Sequence, residues 1–154
     1  MKSILLFIFL FTFSLYGQES GASKVLLIDS ICSSINSLKP NEYKTYQSSG
    51  IIEKKKFVFF YKTIGSFHVD GFFINDKLLK VNYTEFLMGS FANEVFYFKD
   101  NKLIKFERKF FNKNISNDVE IISKAYFEND VLIHYSTNKF WNFNALKTLQ
   151  KANQ

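Results

Sequence analysis

Three stretches of the chain share one pattern, in which an apolar run leads into a pair of Asn and Asp residues and a second apolar run follows. They are FFINDKLLKV at 72–81, VFYFKDNKLIKFE at 95–107 and YFENDVLIHY at 126–135. Asn and Asp tolerate the positive φ angles that a two-residue hairpin turn requires. Aligned on their turns, the stretches share a Phe before the turn and a Leu after it: Phe73 and Leu78, Phe98 and Leu103, Phe127 and Leu132. The pattern predicts three similar β-hairpins.

Strand alternation in a two-residue hairpin divides these side chains between two faces. One face is apolar in all three hairpins and is expected to form core: Phe72, Leu79, Val81, Tyr97, Ile104, Phe106, Tyr126, Ile133 and Tyr135. The other face adds basic residues and is the candidate binding face: Phe73, Leu78, Lys80, Phe98, Leu103, Lys105, Phe127, Leu132 and His134. Two interpretations stay open for it: a partly exposed aromatic and basic band, or a face that is also buried near the turns.

Further elements flank the hairpins. Apolar residues at helical spacing run from Ser23, a possible cap, to Leu38, and Pro40 ends the helix. Strand signals follow at 43–47 and 51–62, where Lys54, Lys55 and Lys56 could shield a strand end or edge from other chains. A polar loop is expected at 112–118, and the spacing of apolar residues after residue 138 predicts a short closing helix that includes Trp141.

These elements together define an α+β fold. We expect an N-terminal helix packed on a mostly antiparallel meander of about seven or eight strands, followed by a short C-terminal helix. The sheet is either open or partly curled, and the open form is preferred. Cys32 lies on the apolar stripe of the first helix, where a buried and inert thiol is expected.

The first 17 residues have the three-part layout of a secretory signal peptide. Lys2 precedes an apolar run at 4–13, and smaller, more polar residues continue to Gly17. The run is shorter than the roughly 20 residues that span a bilayer, and no later segment approaches that length. We therefore expect a signal peptide at 1–17, a single domain at 18–154 without a transmembrane segment, and an exported protein, either periplasmic or secreted.

The basic charge narrows the choice of partner. The formal net charge is +6, and loss of residues 1–17, which contain Lys2 and no acidic residue, would lower it to +5. Positive charge can indicate an anionic partner, or it can reflect a composition rich in lysine. Arg108 is the only arginine in the sequence, which argues against nucleic acid, because arginine is the preferred residue for phosphate and base recognition.

Catalytic signatures are absent from the sequence. It contains no GxSxG, HExxH, glycine-rich phosphate loop or CxxC motif. Ser66, His68 and Asp70 would share one face of a strand, but residues two apart lie about 6.5–7 Å apart along it, beyond the reach that a nucleophile and its base need. A metal site from His68, Asp70 and His134 lacks ligand spacing. No catalytic residue, metal ligand or cofactor is predicted.

The segment IDSICSSIN at 28–36, the FFY-type strands and the hairpins behind a signal peptide ending in Gly-Gln resemble small secreted proteins of Bacteroidota type. The resemblance implies an exported or periplasmic location and no particular activity. Function is therefore a choice among three classes. The first is a non-enzymatic binding module for an unknown macromolecule, the second a carrier of a small apolar ligand in a curled sheet, and the third a hydrolase with an unrecognised site.

Overall fold

The computed structural model describes residues 21–57, 60–112, 120–138 and 143–153. Helix α1 covers residues 21–36 of the described chain. Seven strands follow: β1 Lys44–Phe57, β2 Phe60–Ile74, β3 Lys77–Leu87, β4 Ser90–Lys99, β5 Lys102–Asn112, β6 Ile121–Glu128 and β7 Val131–Thr137. Helix α2 covers Ala145–Ala152. The predicted α+β class, with a helix before and after a meander, is confirmed.

The seven strands form one antiparallel sheet in the order β1-β2-β3-β4-β5-β6-β7, so that β1 and β7 are its two edges. The sheet is open, as the sequence favoured. Three of its connections are the predicted turns, where both central residues have positive φ: 48° and 59° at Asn75 and Asp76, with similar values at 100–101 and 129–130. Because the strands alternate in direction, these three turns lie at one end of the sheet. We call this the turn end.

The shared Phe and Leu residues face each other across each predicted turn. Phe73 pairs with Leu78, Phe98 with Leu103, and Phe127 with Leu132. One step further from each turn, the register shifts by one residue. Tyr97, for example, pairs with Lys105 and not with Ile104. The extra residues are Leu79, Ile104 and Ile133, which occupy a β-bulge at the same place in every hairpin.

Because of the bulges, the predicted division of side chains into two faces is wrong for the residues beyond them. Beyond a bulge every side chain changes sides relative to a regular ladder. Phe106 therefore joins Phe98 and Leu103 in one cluster, although the sequence placed it with Tyr97 and Ile104. Lys105, which the sequence placed with Phe98 and Leu103, lies instead on the face of Tyr97. The same exchange occurs in the other hairpins, where Val81 and Tyr135 pack against the cluster of Phe106.

Each face of the central sheet packs against one helix. On one face, Ile28 and Cys32 of α1 are buried with Tyr97 and Tyr126. On the other, α2 packs against a cluster of buried residues: Phe96, Phe98, Leu103, Phe106, Ala125 and Phe127. Asn144 caps α2 by accepting a hydrogen bond from the backbone N–H of Lys147 at 2.9 Å. The core thus consists of two layers separated by strands β4 to β6.

Burial of Cys32 is confirmed. Within the ranges that the structure describes, no helix is long and apolar enough to cross a membrane. The expected signal peptide at 1–17 and Trp141 lie outside the described residues, as does nearly all of the polar loop at 112–118.

Strands β1 and β2 extend beyond the rest of the sheet. Their pairing continues to Phe57 and Phe60, whereas β3 pairs with β2 only from Gly65 onward. Residues 53–57 and 60–64 therefore form a two-stranded segment that pairs with no third strand of the described chain, and we call it the arm. The arm lies at the end of the sheet opposite the turn end, beside the turn between β3 and β4, where the N–H of Met88 donates to the carbonyl oxygen of Ile64 at 3.1 Å.

Candidate interaction surface

Four of the nine residues of the candidate binding face are buried, namely Phe98, Leu103, Lys105 and Phe127. Phe98, Leu103 and Phe127 expose only 3%, 2% and 1% of their surface. The interpretation of this face as a partly exposed band is wrong for these residues, and the alternative of burial near the turns is correct. The physical reason is helix α2, whose Ala145 and Leu149 pack against the cluster that contains all three.

Lys105 is also buried, but on the opposite face of the sheet, against α1. Its Nζ lies 2.7 Å from Asp29 Oδ1 and 2.7 Å from Glu107 Oε1, and it lies over the ring of Tyr126. Burial alone would lower the pKa of Lys105, yet hydrogen bonds to the two carboxylates raise it above its ordinary value. The Tyr126 hydroxyl also donates to Asp29, at 3.1 Å. This network fastens α1 to the sheet and has a structural role.

The remaining residues of the predicted face are dispersed. Lys80 donates to Asn36 of α1 at 3.2 Å and lies over the ring of Phe72, and burial lowers its pKa. Leu132 and His134 are exposed on the edge strand β7. Phe73 and Leu78 are half-buried at the turn end. The structure therefore does not bring the nine predicted residues together on one surface, and a binding role for them stays a prediction.

The Ser66, His68 and Asp70 run is only partly assembled. His68 Nε2 lies 3.0 Å from Asp70 Oδ1, which also accepts a hydrogen bond from Gln47 at 2.8 Å. His68 and Asp70 are two positions apart on β2, yet their side chains come within hydrogen-bond distance, so the separation along the strand does not by itself exclude contact between them. His134 belongs to β7, and four strands separate β7 from the β2 residues. No group of three or more potential metal ligands occurs among the described residues.

A cleft of 610 Å³ lies between α2 and strands β3 to β5. Glu94 is buried at its base, where its carboxylate contacts Lys151 Nζ and lies 3.6 Å from Arg108 Nε. Lys151 also lies 3.8 Å from the centre of the Tyr83 ring. Burial, helped by a hydrogen bond to Glu85, raises the pKa of Tyr83 to about 12. The ion pair between Glu94 and Lys151 joins α2 to the sheet across this cleft.

The arm differs from the cleft in that two of its aromatic side chains are exposed to solvent. Phe60 and Tyr61 expose 69% and 61% of their surface. Three further exposed apolar residues lie at its base: Ile51, Phe86 and Met88. Large apolar residues gathered at one place on a surface are typical of interaction sites. The arm and its base form the most conspicuous exposed apolar surface of the described chain.

The arm is also strongly basic. It contains Lys54, Lys55, Lys56 and Lys62 with a single acidic residue, Glu53, so its net charge of +3 is half of the formal net charge of the chain. None of these lysines forms an ion pair within the described part of the chain. At the turn end, by contrast, Lys77 lies 3.7 Å from Asp100 and Lys44 lies 3.9 Å from Asp76. Lys99 and Lys102 of the turn end also lie opposite each other. The arm is distinguished by four lysines that form no ion pair with any described residue, on one short segment that also carries exposed aromatic residues.

Both faces of the arm carry lysine. Lys54 pairs with Lys62, and Lys55 pairs with Tyr61 at the adjacent position. Residues that pair across two antiparallel strands point to the same side, and adjacent pairs point to opposite sides. One face therefore carries two lysines directly opposite each other, and the other carries a lysine beside an exposed tyrosine. Like charges opposite each other are unfavourable in an isolated sheet.

The sequence already contained the signal for this surface, namely three consecutive lysines followed by aromatic residues, although it was interpreted only as protection of a strand edge. What the sequence could not show is that β3 ends at Leu87, so that it does not pair with the arm. No protein-family model matches the chain, and no curated protein or solved structure matches it either. The arm is thus identified as a candidate by its own exposure and charge.

Proposed function

We propose that the protein is an exported, non-enzymatic binding module and that the arm is its binding surface. The observation that carries this proposal is the coincidence of exposed Phe60 and Tyr61 with four unpaired lysines on one projecting segment. Apolar side chains release water when a partner covers them, and lysines attract an acidic partner over a distance of about 8–10 Å at physiological salt. The partner is therefore a large acidic surface.

The experiment compares binding of the protein to envelope material from the cells that produce it. The arm variant carries Phe60→Ser and Tyr61→Ser, and the control variant carries Val131→Ser and Leu146→Ser, which remove equally exposed apolar residues far from the arm. We expect the arm variant to lose most of the bound fraction and the control to keep it. Equal binding of both variants, with cooperative unfolding retained, would reject the arm as the binding surface.

Export is the second part of the proposal, and it rests on the sequence of residues 1–17. The measurement is the intact mass of the exported protein, which should lack these 17 residues. A full-length mass in the cell interior would contradict export without affecting the assignment of the arm.

A ligand carrier is the second candidate. The carrier was predicted for a curled sheet, and the sheet is open. In an open sheet the cleft beneath α2 supports this candidate, because Phe96, Phe106 and Phe143 line it. Native mass spectrometry of the protein from its own cells tests this. A small molecule that co-purifies, and that is lost from a variant with Phe143→Ser, would favour the carrier.

A further inference from the structure

We infer that the partner of the arm is an anionic lipid bilayer, into whose headgroup region the arm inserts. This inference rests on the proposed function and names the partner. The geometry of the arm distinguishes a bilayer from other acidic surfaces. Lys55 and Tyr61 point to one side of the arm, while Lys54 and Lys62 point to the other. A partner with a flat rigid surface would contact only one of these sides, whereas a bilayer surrounds an inserted hairpin and contacts both.

The residue types fit the interface between water and lipid. Tyrosine places an apolar ring near the hydrocarbon and a hydroxyl among the headgroups, and phenylalanine can lie deeper. Lysine extends a flexible apolar stem and keeps its ammonium group at the level of the phosphates. The exposed Ile51, Phe86 and Met88 at the base of the arm extend this apolar surface.

Charge explains why the bilayer should be anionic. Lys54 and Lys62 face each other directly on one side of the arm, and both are exposed. Their mutual repulsion is unfavourable in the free protein and is relieved when phosphate groups lie around them. A soluble polyanion could also neutralise them, but it would leave Phe60 and Tyr61 in water. The aromatic residues are therefore the feature that distinguishes the two partners.

A second copy of this chain is a poorer partner for the arm. Edge strand β1 carries Lys54, Lys55 and Lys56 at its end. Two such ends lying against each other would bring lysines of like charge together, which is how natural sheets discourage pairing of their edges. A dimer formed through the arm is therefore an outcome that contradicts the inference.

The test measures binding of the purified protein to two kinds of vesicle, one of phosphatidylcholine alone and one with a third of the lipid replaced by phosphatidylglycerol. We expect binding to the anionic vesicles and little to the neutral ones. Replacing Lys54 and Lys62 by glutamine should weaken binding by about 30-fold, since each lysine near an anionic surface contributes about fivefold. The matched control, Lys77→Gln with Lys102→Gln at the turn end, should bind as the unchanged protein does.

The aromatic residues are tested in the same assay. Phe60→Ser with Tyr61→Ser should weaken binding at least about tenfold, and a Tyr61→Trp variant should show a blue-shifted emission when anionic vesicles are added. The same variants are measured with heparin as a soluble polyanion. Heparin binding that depends on the lysines but not on Phe60 and Tyr61, without vesicle binding, would overturn the lipid assignment and leave the proposed function standing.

Three other results would also overturn the inference. Equal binding to neutral and anionic vesicles would mean that the lysines have no role. Concentration-dependent dimerisation that the arm variant abolishes would identify a second copy as the partner. No binding to vesicles, while the arm variant still loses its association with envelope material, would reject lipid and retain the arm as a site for another component.

Discussion

The two ends of the sheet differ in how their strands terminate. At the turn end, three tight turns reverse the chain with the same pair of residue types, and lysines there lie near acidic side chains, as Lys77 does near Asp100. At the arm end, β1 and β2 continue past their neighbour with exposed aromatic residues and unpaired lysines. The turn end also has one pair of opposed lysines, Lys99 and Lys102. The arm end combines opposed lysines with the exposed side chains of Phe60 and Tyr61, which is why we assign function to it.

The largest effect is expected when lysine replaces apolar residues of the core, and the same change on the arm provides the comparison. Replacing Phe98 and Leu103 with lysine puts two charges between the sheet and α2, and each should cost several kcal/mol, comparable together to the roughly 5–15 kcal/mol of a whole domain. The cooperative thermal transition should disappear. The same change at Phe60 and Tyr61 should alter the free energy of unfolding by about 1 kcal/mol or less. Loss of folding in both variants would show that the arm is part of the core.

The sequence predicted the turns of the sheet but not its bulges. The turns were predictable because Asn and Asp tolerate positive φ, and the Phe and Leu pairs followed from turn length. The bulges at Leu79, Ile104 and Ile133 were not, because any apolar residue can occupy them and only the hydrogen-bond ladder reveals the extra residue. Missing them placed Lys105 on the wrong face.

The candidate site was predicted less well than the fold, for a related reason. Exposure of Phe98 and Phe127 depends on where α2 packs, and helix packing is a tertiary property that apolar spacing alone does not determine. The arm depends on the relative lengths of β2 and β3, which are set by long-range pairing. The composition of the arm was visible in the sequence, but its freedom from neighbours was not.

The second test concerns the two kinds of lysine. Lys105→Met keeps the apolar stem but leaves Asp29 and Glu107 without their shared cation. Removing one partner from a fully buried pair costs about 3–5 kcal/mol, and because both carboxylates are partly exposed we expect about 2–3 kcal/mol here. Lys54→Met on the arm should change stability by less than about 0.5 kcal/mol. Chemical denaturation measures both, and similar losses would show that arm lysines are structural.

The third test uses alkaline pH, which should weaken the contact between α1 and the sheet. Burial raises the pKa of Cys32 from 9.0 to about 12, so the folded state holds the thiol proton more tightly than the unfolded state. This contribution to stability is complete below pH 9 and is lost as pH rises from 9 towards 12. A raised pKa of Lys105 acts in the same direction.

The variant for this test is Cys32→Ala, compared by the slope of stability against pH and not by its level, because the substitution also removes packing. Between pH 8 and pH 10 the unchanged protein should lose about 1 kcal/mol more than the variant, since one pKa unit corresponds to about 1.4 kcal/mol. Identical slopes would mean that the thiol is as ionisable in the folded as in the unfolded protein. Arm binding at neutral pH should be the same for both.

The smallest effect on stability is expected at the turn end, where substitution of Asn101 tests whether the turn conformation depends on the residue type at that position. Asn101 has φ of 61°, in a region where a side chain lacking the local hydrogen bonds of Asn is strained. Asn101→Ala should therefore cost up to about 1 kcal/mol, while Asn101→Gly, which matches the residue preferred at this position of such turns, should be neutral or stabilising. Both leave Asp100 and its partner Lys77 in place. A glycine variant less stable than the alanine variant would mean that the side chain of Asn101, and not its backbone conformation, holds the turn.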